Sequence, residues 1–188
     1  MWRAEALMAR GRAVEGAEEI QRALELDPFS PAILWAAGRF ASWGGDHERA
    51  IELGKRAVDL SPESFRFRVS LWEIYALAGR EEEAAQALLG AAAPAARAEL
   101  ENAYAAGGPK ALIERFLRFE HERTGQPCGR GRAALYARLG DAEGVFRCLQ
   151  HAARTGYEAP QVQLDPVFAP YRSDPRYAAL LEEMNLRE

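Results

Sequence analysis

A period of 34 residues runs through the first half of the chain and limits the folds open to it. One column of the repeat is a glycine followed by a charged residue, at Gly11, Gly45 and Gly79. A second column is a proline that follows an apolar segment, at Pro28 and Pro62. Independent columns that share one period indicate a helical repeat, in which each copy is a structural unit that stacks on the next.

The residue types in these columns predict a pair of helices, A and B, in each copy. Glycine accepts the left-handed backbone of a tight turn, so each glycine is expected to join helix A to helix B. Proline cannot continue a helix, so Pro28 and Pro62 are expected to follow the end of helix B. Small residues on helix B should let neighbouring helices approach closely. They are Gly16, Ala50 and Ala84 in one column and Ala23, Ala57 and Ala91 in another.

After residue 94 the spacing becomes irregular, but helical periodicity continues. Residues 97–107 and 110–123 predict one helix pair, and residues 130–139 and 141–154 predict another. The segment that follows carries four prolines, which predict short turns and then a single helix from about Pro175. Asp174 is expected to cap that helix, because an aspartate side chain accepts from the free backbone N–H groups of a first turn.

The expected architecture is therefore an all-α, right-handed superhelix of helix hairpins closed by a C-terminal capping helix. We expect one solenoid over residues 1–188. Residues 1–96 should hold three regular repeats, the first truncated. Residues 97–156 should form two irregular helix pairs, and residues 157–188 the proline-rich turns and the cap.

The columns resemble the tetratricopeptide repeat. In the second copy the matching positions are Leu34, Ala37, Gly38, Ala41, Ala50, Gly54, Ala57 and Pro62; in the third they are Arg68, Leu71, Trp72, Tyr75, Ala84, Leu88 and Ala91. Gly54 and Trp72 depart from the family pattern. The glycine should leave space for a neighbouring side chain, and the tryptophan either fills that space or separates the helix pair.

The C-terminal third resembles a module that ends tetratricopeptide arrays in many bacterial proteins. The resemblance rests on LYARLGD at 135–141 and LDPVFAPYRSDPRY at 164–177. In that family the arrays accompany winged-helix DNA-binding domains, protein kinases or adenylate cyclases. The resemblance implies an interaction scaffold that binds a partner peptide or protein in its concave groove. It also leaves open a regulatory or sensory C-terminal region of a transcription regulator, kinase or cyclase, since the first helix A looks shorter than a full copy.

The family turns one stripe of helix A toward the groove, and this stripe supplies the candidate binding residues. They are Trp35, Arg39 and Trp43 in the second copy, Arg66 and Glu73 in the third, and Asn102 in the irregular fourth pair. Two tryptophans with an arginine between them are typical of a binding hot spot. The alternative is that Trp35 and Trp43 fill the core between helices. Arg39 favours the groove, because an arginine without a partner rarely enters a core.

Charge and hydropathy argue against several other classes of function. The chain has 24 Lys and Arg among 28 Asp and Glu, with a net charge of -4, and no basic block of the kind that nucleic acids attract. No run approaches the roughly 18 apolar residues of a membrane span. The N-terminal segment lacks the apolar run of a signal peptide. We therefore expect a cytoplasmic protein whose partner is another protein.

Motifs for chemistry are also lacking in the sequence. The four possible zinc ligands, His121, Cys128, Cys148 and His151, are too loosely spaced for a structural site, and Cys148 is expected to be a buried thiol. No nucleophile elbow, phosphate loop or metalloprotease motif occurs. We expect no catalytic residue, no metal and no cofactor.

Overall fold

The computed structural model describes residues 2–9, 12–124, 128–155 and 159–184, and all regular structure within these ranges is helical. The first six helices form three consecutive hairpins. They are α1 (Trp2–Ala9), α2 (Ala13–Leu26), α3 (Pro31–Trp43), α4 (His47–Leu60), α5 (Phe65–Leu77) and α6 (Glu81–Ala91). Within each hairpin the two helices pack against each other, and α3 also packs against α2 and α5.

Five further helices and one 3₁₀ helix follow within the described residues. They are α7 (Pro94–Thr124), α8 (Arg130–Leu139), α9 (Ala142–Thr155), α10 (Ala159–Leu164), the 3₁₀ helix (Pro166–Tyr171) and α11 (Pro175–Glu183). α8 and α9 form another hairpin, and α11 packs on α9. Among the described residues, no helix has the length and apolar character needed to cross a membrane.

The predicted glycine turns are confirmed where the structure describes them. Gly45 and Gly79 have φ angles of 86° and 72°, in the left-handed region that other residues avoid. Gly140, between α8 and α9, has a φ of 73°. Gly11 lies outside the described residues. The helices also end where the prolines predict, since α2 stops at Leu26 and α4 at Leu60.

The helix α7 is two arms folded back on each other, and not one rod. Gly107 and Gly108 have non-helical angles, with φ of Gly108 at 64°. Arg115 Nε lies 2.7 Å from Glu99 Oε1, although sixteen residues of continuous helix would separate the two by about 24 Å. The predicted pair, 97–107 and 110–123, thus corresponds to the first arm (94–106) and the second arm (109–124).

The space beside Gly54 is filled by side chains of the next hairpin. A methyl group at Gly54 would lie 3.0 Å from Ile74 Cδ1 and 3.1 Å from Leu71 Cδ1. Trp72 is buried elsewhere, in the large core cluster that also contains Phe116. Ile74 and Leu71 of α5 therefore fill the space beside Gly54, whereas Trp72 packs in a different part of the core.

The segment between α9 and α11 contains more helix than its prolines predict. We expected short turns there, but residues 159–164 form α10, and the 3₁₀ helix follows directly. Asp165 begins the 3₁₀ helix and accepts a hydrogen bond from Val167 N at 3.0 Å. The final helix agrees with the sequence, since it begins at Pro175 and Asp174 accepts from Arg176 N at 2.9 Å.

The expectation of a free thiol at Cys148 is wrong. Cys148 is buried, as expected, but its sulfur is bonded to Cys128, twenty residues away at the start of the α8–α9 hairpin. The sequence argument failed because Cys128 sits in a glycine-rich loop with no near neighbour in sequence. Disulfides are rare in reducing compartments. The disulfide therefore does not support the cytoplasmic location expected from the sequence, which stays a prediction.

Replacing both cysteines by alanine should lower the free energy of unfolding by about 3 kcal/mol. The bond closes a loop of twenty residues, and the lost restraint on the unfolded chain has that magnitude. Urea unfolding of the oxidised protein measures the change. Wild-type protein treated with reductant is the control and should match the variant. Cysteines that react with a thiol reagent in unfolded, unreduced protein, together with unchanged stability of the variant, would contradict the bond.

Candidate functional site

The C-terminal segment lies across one side of the preceding helices. α10 packs on α1, and the 3₁₀ helix packs on α8. We call the side that they contact, made by Glu5 of α1, Arg39 of α3, Glu73 of α5 and Arg130 of α8, the covered face. All four of these charged residues are less than a tenth exposed.

One polar group on the covered face is centred on Gln161 of α10. Arg39 Nη1 donates to Gln161 Oε1 at 2.5 Å, and Gln161 Nε2 donates to Glu5 Oε1 at 3.0 Å. The amide of Gln161 can do both because it carries a donor and an acceptor side by side. Gln161 of α10 thereby joins α1 to α3.

A second polar group is centred on Arg130, the first residue of α8. Its Nη2 lies 2.7 Å from Glu73 Oε2, and its Nη1 donates to Asp165 Oδ2. Asp165 is 2% exposed and stands between α10 and the 3₁₀ helix. One guanidinium thus pairs with two carboxylates in a buried setting, where charged hydrogen bonds are stronger than at the surface.

Apolar contacts place α10 between two parts of the core. Val162 is fully buried in the cluster formed by α5 to α11, whereas Leu164 packs on the separate cluster around Trp35. Tyr177 of α11 donates its hydroxyl to the carbonyl of Val162 at 3.0 Å. The segment is therefore an integral part of the fold, because Val162 is buried and Gln161 is hydrogen-bonded to two other helices.

The guanidinium groups of two arginines lie against the tryptophan rings on this side. Arg39 Cζ lies 5.0 Å from the ring centre of Trp35 and 4.5 Å from that of Trp43. Arg66 Cζ lies 5.3 Å from the ring centre of Trp35. Such contacts contribute about 0.5–2 kcal/mol each, more where water is excluded. The stacked guanidinium groups and tryptophan rings, which we call the aromatic ladder, lead from the covered face to the exposed Arg66.

The six residues predicted to bind a partner fall into three groups. Trp35, Arg39 and Glu73 are buried, and Trp43 is half-buried. Arg66 and Asn102 are exposed, and Asn102 belongs to the first arm of α7. The sequence argument placed the side chain of Arg39 outside the core, which is wrong. It is 3% exposed, because Gln161 and two aromatic rings compensate for the water it gives up.

Comparison of the chain with models of known protein families and with curated proteins finds no match.

Sequence reasoning missed four residues of this site, namely Glu5 and Arg130 of the covered face and Gln161 and Asp165 of the segment that covers it. Only Asp165 gave a local signal, since Asp-Pro commonly opens a helical turn. The partners of the others lie far away in sequence: Gln161 bonds a residue 156 positions earlier, and Arg130 one 57 positions earlier. Single-sequence patterns report neighbours within a few turns and cannot pair residues at such distances.

Burial controls the electrostatics of the two glutamates. Loss of water raises the pKa of Glu5 above its ordinary value, and the nearby charge of Arg39 opposes this effect. Burial likewise raises the pKa of Glu73, against the attraction of Arg130. Among the described residues, no three His, Cys, Asp or Glu side chains are grouped so as to hold a metal ion. The arrangement can bind and orient polar side chains.

Replacing Glu5 by glutamine should stabilise the protein at about pH 8 more than at about pH 5. Because the pKa of Glu5 is raised on folding, the folded state holds a proton that the unfolded state releases, and wild-type stability falls as pH rises through that interval. Glutamine removes this dependence and keeps the side-chain oxygen. Urea unfolding of both proteins at the two pH values gives the difference. A difference that stays constant with pH, or shrinks, contradicts a buried glutamate.

Proposed function

We propose that this chain is a protein-interaction module of the tetratricopeptide type, a superhelix of helix hairpins that binds a segment of a partner protein. The 34-residue spacing, the left-handed glycine turns and the consecutive hairpins support this proposal. The observation that carries it is the way the covered face already holds α10. Side chains from α1 and α3 grip one short helix through its amide and its apolar residues.

The binding surface proposed here is the edge of the covered face, beside α10. The buried Trp35 and Arg39 do not present an open pocket, and the burial of Val162 and Phe168 argues that α10 stays in place. Trp43 remains half-buried at one end of the aromatic ladder, and Arg66 is exposed at the other end. An amphipathic partner segment with a carboxylate could lie against them, since arginine and tryptophan are enriched in binding hot spots.

Replacing Arg66 by glutamate should abolish capture of that partner from a lysate of the source organism. The change reverses the charge at the exposed end of the ladder. Arg154→Glu is the matched control, because Arg154 is likewise an exposed arginine, on α9. Both variants should keep the helical circular-dichroism signal of the wild type.

The decisive comparison is between these two variants. A protein retained by wild type and by Arg154→Glu but lost by Arg66→Glu supports the edge as the binding surface. Equal retention by all three proteins, or equal loss in both variants, contradicts it. In the first case the partner does not touch Arg66, and in the second only the net charge of the chain matters.

A further inference from the structure

A groove of about 820 Å³ lies between α8 and the second arm of α7. Apolar groups of Leu117, Tyr136 and Leu139 line it, and the start of α9 closes one side. Its volume falls in the range of sites that enclose small ligands or anchoring side chains. It is formed by residues other than those of the covered face, and the proposed function does not depend on it.

The rim of this groove is rich in positive charge. Lys110 and Arg118 come from α7, Arg132 from α8 and Arg147 from α9, against two acids, Glu114 and Asp141. The surrounding sequence has the same bias: residues 110–154 hold nine Lys and Arg but five Asp and Glu, whereas the whole chain has a net charge of -4. The fold therefore gathers cations on a protein that is acidic elsewhere.

Most of these cations are available to a ligand. Lys110, Arg118 and Arg147 are exposed. Arg147 lies over the ring of Tyr136, with Cζ 5.3 Å from its centre. The carboxylate of Asp141 is already used, since it accepts from Gly144 N at 2.9 Å at the start of α9.

We propose that this groove binds an acidic peptide segment of a partner protein, with carboxylates on the cationic rim and an apolar side chain on the floor. An apolar floor between two helices suits a peptide that carries both kinds of side chain. A nucleic acid needs a longer, uniformly basic track along its backbone, whereas Glu114 and Asp141 interrupt the cations of this rim. The cationic groove thus selects its partner by charge and by one or two apolar contacts.

Fluorescence anisotropy with the full chain tests the proposal. The probe is a short labelled peptide in which Asp and Glu alternate with Leu, compared with the same peptide carrying Asn and Gln. Arg118→Glu with Arg147→Glu should weaken binding of the acidic peptide about tenfold or more, because two attractions become repulsions. Lys55→Glu with Arg154→Glu changes the net charge equally at exposed positions outside the groove and should leave the affinity within about twofold.

Three results would overturn the proposal. They are equal binding of the acidic and amide peptides, equal weakening in both double variants, and tighter binding of a labelled single-stranded RNA that the groove variant also loses. Absence of binding to wild type at low salt overturns it as well. If Arg118→Glu with Arg147→Glu loses its helical signal, the glutamine versions of the same two positions replace it, with a smaller loss expected. Failure here leaves the Arg66 comparison untouched, since the two surfaces share no residue.

Discussion

The buried guanidinium of Arg130 holds the C-terminal segment against the hairpins. It pairs with Glu73 of α5 and with Asp165 at the junction of α10 and the 3₁₀ helix. Two charged partners offset the loss of water that burial of the arginine entails, whereas removal of one partner from a buried pair costs about 3–5 kcal/mol. With Asp165 fixed, α10 is positioned so that Gln161 meets Arg39 and Glu5. The first and last parts of the chain are thereby brought together.

The position of the C-terminal segment changes which side chains of the hairpins a partner protein can reach. In an open helical repeat the side chains of each first helix remain accessible to a partner. Here the C-terminal segment covers Arg39 and Trp35, and the two surfaces proposed for binding are the edge near Arg66 and the cationic groove beside α8. Binding at either surface requires no displacement of buried apolar groups, so it is compatible with the stability of the closed fold.

The local features of this fold could be predicted from the sequence. The left-handed turns at Gly45 and Gly79, the helix start at Pro175 and the cap by Asp174 depend on residues within one turn of each other. The hairpin within α7 follows from the glycine pair at 107–108 for the same reason. The candidate site was predicted only in part. The helical spacing identified the stripe of residues that faces the site, but it did not indicate that the C-terminal segment covers that stripe.

The features that escaped prediction all depend on long-range contacts. The six-residue α10 has a proline near its start and little intrinsic signal, and it is stabilised by burial of Val162 and by Gln161. The bond between Cys128 and Cys148 depends on how the α8–α9 hairpin closes. The cationic groove was invisible as a sequence motif, since its charges alternate with acids along the chain and come together only when α7 and α8 pack.

A double-mutant cycle between Arg130 and Asp165 tests most directly whether the C-terminal segment is held on the covered face. Arg130→Met keeps the length of the side chain, and Asp165→Asn keeps its ability to cap the 3₁₀ helix. The free energies of unfolding of wild type, both single variants and the double variant give the coupling energy. The structure predicts a favourable coupling of about 1.5–3 kcal/mol. A coupling within about 0.3 kcal/mol of zero would mean that the two residues do not meet, and would contradict the account.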